Sequence, residues 1–184
     1  MIVELRQYTL HPGRRDELIE LFERELVEPQ RAAGMSIDGT FRDRGRDDVF
    51  VWIRSFPDMA ARRASLQAFY GGPIWRAHRD AANATMIDSD NVLLLAGDAP
   101  KPRRITSGPL FGVLYPLADR ASLDARVIGA WTTELSENTF PQLPVRGGEC
   151  VWFALVDGGD RSQLAATNPA QLLELEPTAG SRIR

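Results

Sequence analysis

The stretch "VFVWIRSF" at 49–56 carries a large side chain at almost every position. Read as a strand, it puts Val49, Val51 and Ile53 on one face and Phe50, Trp52, Arg54 and Phe56 on the other. Leaving either face in water would expose an apolar strip larger than soluble monomers usually tolerate. This strand must therefore be covered from both sides, and its neighbours suggest how. "MIVELRQYTL" (1–10) alternates as a strand and is broken by His11-Pro12-Gly13. In "RRDELIELFERELVEPQRAAG", Leu18, Phe22 and Leu26 recur every four residues, the spacing of a helix. Pro29 is a kink or an end of that helix, and Gly34 a stop. "SIDGTFRDR" (36–44) and "DDVFVWIRSF" (47–56) form a hairpin about "GRDD". Pro57-Asp58 opens a second helix with Met59, Leu66 and Phe69 inward, Gly71-Gly72 ends it, and Pro73 starts a short further helix, "PIWRAHRDAANA". "IDSDN" reads as a turn leading into the strand "NVLLLAG" (91–97).

The order β-α-β-β-α-β is that of a ferredoxin-like unit, in which helices cover one sheet face and leave the other bare. After "GDAPKPRRITSG" the pattern returns in a worn form. "GPLFGVLYPL" (108–117) is strand-like, and "ECVWFALVD" (149–157) matches "DVFVWIRSF" with Val151-Trp152 standing where Val51-Trp52 stand. "QLLELEP" (171–177) echoes "NVLLLAG". Between them, "DRASLDARVIGAWTTELSENTF" (119–140) is expected to be a helix, because Leu123, Val127, Trp131 and Leu135 recur every four residues. The counterpart of 68–87 is largely missing. The expected fold is α+β: two tandem ferredoxin-like βαββαβ units, residues 1–98 and a degenerate 108–184, joined by a linker at 99–107. Their bare faces pack together as a pseudo-dimeric α/β barrel with a cleft in the middle. Leftover sheet edges are compatible with a homodimer.

Three motifs resemble the NIPSNAP family: "VELRQYTLHPG" at the start, "VWIRSFPDMAARRA" for the central strand and helix, and "FYGGPIWRAHRDAANATMIDSDNVLLL" at the end of the first unit. They span residues 2–96. The resemblance implies the dimeric α/β-barrel superfamily, whose members include cofactor-free antibiotic-biosynthesis monooxygenases, muconolactone isomerases, haem-degrading enzymes and small ligand-binding proteins. It implies no single activity, since one fold hosts many. It directs attention to the barrel interior, with the "PIWRAHRD" helix near its mouth.

His78 is the first candidate for chemistry. It lies i+3 from Trp75 and i+4 from Ile74 on one helix side and could act as general base, with Asp80, Asp88 or Asp90 orienting it. The competing reading is a surface or core histidine bonded to a backbone carbonyl. Arg6 with Tyr8, and Trp52 with Arg54, are i, i+2 pairs on adjacent strands and are expected to form one patch. Arginine there would fork onto a substrate carboxylate or enolate, with Tyr8 donating a hydrogen bond. The competing reading pairs these arginines with Glu4 or Asp43 as plain structure. Trp52 and Trp75 would wall a pocket for a flat ligand, or simply fill core. The assignment is thus His78, Arg54 and Tyr8 as catalytic residues, with Arg6, Trp52, Trp75 and Arg79 binding substrate. The Arg62-Arg63 pair reads as solvated charge.

Composition narrows the partners. Formal charge is −3, from 22 basic and 25 acidic residues, without a basic cluster, which disfavours nucleic acid and anionic membrane. No apolar run approaches a membrane span. The single cysteine, Cys150, and the absence of a signal peptide fit the cytoplasm, and no HxH, HxxxH or CxxC pattern points to a metal. Two functions are carried forward: a cofactor-independent enzyme of the monooxygenase, isomerase or cyclase type acting on a small apolar or aromatic metabolite, and a non-catalytic module binding a ligand or protein in the same cleft.

Overall fold

Strand β3 (Val49–Phe56) is buried at every position, and the molecule is organised around covering it. The computed structural model describes residues 1–184. β1 (Ile2–Leu10) leads into α1 (Arg15–Leu21), a π-helical turn (Phe22–Leu26) and α2 (Val27–Ala32), followed by β2 (Ser36–Asp43) and β3. Pro29 does not end the helix. It offers no N–H to the preceding turn, and the π-helical turn just before it takes up the change of register. Next come α3 (Met59–Tyr70), capped by Asp58 accepting from the Ala61 amide at 2.7 Å, then α4 (Pro73–Asn83) and β4 (Met86–Gly97). β4 is longer than expected. "IDSDN" lies inside it as an irregular, bulged stretch of strand, because β1 continues to pair with it through Thr9–Asp88 and Leu10–Met86.

The second part departs from expectation in one element. β5 (Leu110–Pro116) is followed by a short 3-10 turn (Leu117–Asp119) and then by β6 (Arg126–Thr133), where a helix was expected over 119–140. The four-residue spacing is misleading: Trp131 is buried, whereas Leu135 is 81% exposed. Val127, Ile128, Thr132 and Thr133 are β-branched, and β7 (Val151–Asp157) offers an edge that β6 fills. A six-residue helix, α5 (Arg161–Ala166), and β8 (Gln171–Pro177) complete the chain.

The eight strands close into a barrel in the order β1-β3-β2-β8-β5-β7-β6-β4. β4-β1-β3-β2 and β8-β5-β7-β6 are thus two sheets of the same internal order, joined at β2–β8 and β4–β6. Closure leaves no spare edge of the kind that suggested a homodimer. The inner face is apolar throughout its middle, with Val3, Leu5, Val51, Ile53 and Leu95 meeting Leu110, Trp131, Phe153 and Leu173. The expected central cleft is therefore filled. On the outside, α1 to α4 cover β1–β4, while the segment around Ala121–Ala125 and α5 cover β5–β8. No helix is long and apolar enough to cross a membrane.

β2 and β6 share one local device. Each carries a bulge ending at a glycine, Gly39 or Gly129, and in each the aromatic ring two residues on folds back over that glycine. A Cβ on Gly39 would sit 2.4 Å from the Phe41 ring, and one on Gly129 would sit 2.4 Å from the Trp131 ring. Both rings are part of the barrel interior and cannot retreat cheaply. Gly129→Ala is expected to destabilise the fold by about 1–3 kcal/mol, the usual cost of overpacking, read as a lower urea midpoint with unchanged slope. An unshifted midpoint would contradict the contact.

Candidate functional site

The alternation that buries Val3 and Leu5 in the barrel turns Ile2, Glu4, Arg6 and Tyr8 outward, beneath the helices. The antiparallel register sets Arg6 opposite Trp52 and Glu4 opposite Arg54, so the two pairs do form one patch. The patch faces α1 to α4 rather than the barrel interior, because β3 turns Trp52 and Arg54 the same way as Phe50 and Phe56.

At its centre one carboxylate holds three guanidinium groups. Glu4 Oε2 accepts from Arg6 Nη1 and from Arg54 Nε, each at 2.7 Å, and Glu4 Oε1 accepts from Arg62 Nε at 2.7 Å. All four side chains are at most 1% exposed. Arg62, expected in solvent, is on the buried side of α3 with Leu66 and Phe69. Arg54 also donates to Gln30 Oε1 at 3.2 Å, and Arg62 to Asn138 Oδ1 at 2.9 Å. Arg54 Nη2 lies 2.7 Å from Glu4 Oε2, but it is too poorly aligned to hydrogen-bond, and Arg62 Nη2 has no protein partner at all. Burial pushes the Glu4 carboxyl up, yet the fields of Arg54, Arg6 and Arg62 together outweigh it and hold the group well below the usual carboxylate range. Burial lowers the Arg62 pKa against the pull of Glu4. For Arg6, burial acts downward, but Tyr8 and Glu4 dominate and raise it. The alternative in which Glu4 pairs with the arginines is the one the geometry shows.

Beside this cluster lies a small enclosed chamber of about 30 Å³, walled chiefly by Tyr8, Phe22, Trp52, Phe69, Tyr70 and Trp75. Tyr8 and Phe22 meet the Trp52 ring edge-on at centroid distances of 5.8 and 4.8 Å. Two donors here are unusual. Trp52 Nε1 is buried without a protein partner. The Tyr8 hydroxyl accepts from Arg6 Nε at 2.9 Å, and its own proton meets no acceptor in the protein. Burial raises the Tyr8 pKa, with Arg6 opposing, so the phenol keeps that proton at neutral pH. Tyr70 and Trp75 also border an adjoining open cleft of about 530 Å³. Its far wall is Phe140, stacked on Tyr70 at 5.9 Å, and Leu143, both in the segment between β6 and β7.

The structure brings Arg6, Tyr8, Trp52, Arg54 and Trp75 together and leaves His78 and Arg79 outside. His78 Nε2 is 3.7 Å from Glu25 Oε2 on the outer side of the π-helical turn, and it does not border the chamber that Trp75 walls. Arg79 is more than half exposed and lies 3.4 Å from Asp80. His78 and Arg54 therefore share no cavity.

A family model described as NIPSNAP matches residues 3–98, just over half of the chain. The chain belongs to the NIPSNAP family. One solved structure agrees on the fold of about half of the chain, and others are similar to it more loosely. A protein from Agrobacterium tumefaciens is 19% identical, with a TM-score of 0.50, over 53% of this chain and 94% of its own. An uncharacterised NIPSNAP domain protein from Burkholderia xenovorans is 20% identical, with a TM-score of 0.49, over 56% of this chain and 100% of its own. A structure named an antibiotic biosynthesis monooxygenase is 25% identical, with a TM-score of 0.43, over 54% of this chain and all of its own. No curated protein matches.

The NIPSNAP-matched residues supply the ionic cluster and the chamber, while Asn138, Phe140 and Leu143, which close over them, lie beyond the match. A second, wider cleft of about 850 Å³ opens at one end of the barrel, by Asp88, Arg146, Cys150 and Gln171. Several of its polar groups are already paired: Gln171 with Gln7 at 2.7 Å, and Arg146 with Glu149 at 2.7 Å. No three His, Cys, Asp or Glu side chains converge as metal ligands.

Glu4→Gln leaves three buried guanidiniums without their carboxylate and is expected to cost about 3–5 kcal/mol, the range for breaking a buried pair by removing one partner. Because Glu4 titrates lower when folded than unfolded, its contribution is complete above its unfolded pKa of about 4.3 and fades as pH falls further. Thermal melts of the native chain should thus lose stability below about pH 4, and the Gln variant should lack that component. Parallel pH profiles would contradict the assignment.

Proposed function

We propose that this NIPSNAP chain binds a small molecule with an apolar or aromatic body and an oxygen-bearing head, seated where the chamber and the Phe140 cleft adjoin at Tyr70 and Trp75. The observation that carries this reading is the pair of buried donors, Tyr8 O–H and Trp52 Nε1–H, both on residues that wall one aromatic chamber. A buried donor without a partner is costly to keep, and a ligand oxygen would relieve both. The body would lie against Tyr70, Trp75 and Phe140. On this reading residues 1–98 form the binding unit, residues 108–184 complete the barrel and supply the cover, and residues 99–107 link them. Arg6 and Arg54 set the field behind the donors.

Binding without turnover is favoured because no chamber group is suited to abstract a proton near neutral pH. Tyr8 is pushed up, Glu4 is held down and fully engaged, and His78 is elsewhere. One observation keeps a catalytic reading as the second choice: two buried donors on the walls of one chamber would, if a substrate oxygen reached both, also stabilise an enolate, the intermediate of a cofactor-independent isomerase or oxygenase.

Acetophenone and related aryl ketones are expected to bind, seen as saturation transfer in ligand-observed NMR, and Trp75→Ala should abolish or strongly weaken that signal. Binding of none of them, or binding indifferent to Trp75→Ala, defeats the proposal. Deuterium uptake into the acetophenone methyl group in D2O above the buffer rate would move the assignment to the catalytic reading.

A further inference from the structure

Resting on that binding site, we infer that its ligand is an anion, an aryl carboxylate whose head enters the chamber and whose ring lies in the adjoining cleft.

The charge balance points there. Arg6, Arg54 and Arg62 bring three positive charges into the interior, and the carboxylate paired with each of them is Glu4 alone. Two positive charges are left uncompensated in a region with almost no exposure to water, where an unmatched charge is expensive. Two of the arginines reach the chamber through side chains that line it: Arg6 donates to the Tyr8 hydroxyl, and Arg54 donates to Gln30. The same two guanidiniums lie against the ring of Trp52, another wall, with their Cζ atoms 5.4 and 5.1 Å from its centroid. An anion in the chamber would therefore accept from Tyr8 and Trp52 and sit within the field of the surplus charge.

The architecture itself does not require charge at this place. In the other sheet, β5 and β7 pair Tyr115 with Trp152 and Val113 with Ala154, where β1 and β3 pair Arg6 with Trp52 and Glu4 with Arg54. An apolar set fills the corresponding positions there and is fully buried. Replacing buried ion clusters by apolar groups is commonly neutral or stabilising, so the charged version is not explained by stability. Size sets the head group. About 30 Å³ takes a water-sized or carboxylate-sized group but no ring, whereas the cleft of about 530 Å³ takes a ring with ease.

The test is a calorimetric titration of the full chain with phenylacetate and with its neutral isostere phenylacetamide, at pH 7 and low salt. Phenylacetate is expected to bind at least about tenfold more tightly, in keeping with the greater strength of hydrogen bonds to an ionised acceptor. Tyr8→Phe, which keeps the ring and should fold, is expected to erase most of that preference. Equal affinities, or tighter binding of the amide, overturn the anion inference and leave the binding site standing. A preference untouched by Tyr8→Phe places the recognition elsewhere and also overturns it. Binding of neither compound, together with no binding of aryl ketones, removes both readings.

Discussion

Strand β3 has no side that can face water, and this constraint shapes the rest of the molecule. Its Val49, Val51 and Ile53 face needs a second sheet, and its Phe50, Trp52 and Phe56 face needs helices. A lone ferredoxin-like unit supplies the helices but not the sheet. The chain meets the second demand with its own strands β5 to β8, which return the same strand order and close the ring. Burial of this extent is worth roughly 25 cal/mol for each Å² of apolar surface, which is the main force opposing chain entropy. The ionic cluster then sits on the helix-facing side of this framework, where rigid neighbours on every side fix its geometry.

Most of the framework was legible because its signals are local and repetitive. Alternation marked β1, the "GRDD" turn marked the hairpin of β2 and β3, the four-residue spacing marked the first helix, and Asp58 and Pro73 marked helix starts. Barrel closure could be anticipated from the two apolar faces of β3 together with the returning strand pattern of 108–184. The failure at β6 is instructive. Four apolar residues at helical spacing outweighed the β-branched residues between them, and the deciding fact, an edge of β7 in need of a partner, is tertiary. A better signal was present: "GTF" at 39–41 and "GAW" at 129–131 share a glycine followed two residues later by an aromatic, and both are bulge points.

The site was only partly readable. Pairing of Arg6–Tyr8 with Trp52–Arg54 followed from strand order and period. The face they occupy did not, because a doubly covered strand gives no polarity contrast to tell inside from outside. Arg62 could have been found: it lies three residues after Met59 and four before Leu66, on the apolar side of its helix. His78 drew attention as a titratable residue beside a tryptophan, but on α4 it faces Glu25. Nothing local in 134–145 announces that it packs beside a chamber built from residues between Tyr8 and Met86.

That cover has a consequence of its own. Asn138 reaches Arg62 of the ionic cluster, and Phe140 reaches the chamber wall at Tyr70, from a segment tied to them by continuous backbone, so the encounter is intramolecular and its effective concentration is set by the chain. A barrel assembled from two separate polypeptides would lose such a cover on dilution, when its partner dissociates. Here occupancy of the cover is independent of how scarce the protein is. The cover lies over the helices of the first sheet, so the two pseudo-equivalent faces of the barrel are not interchangeable.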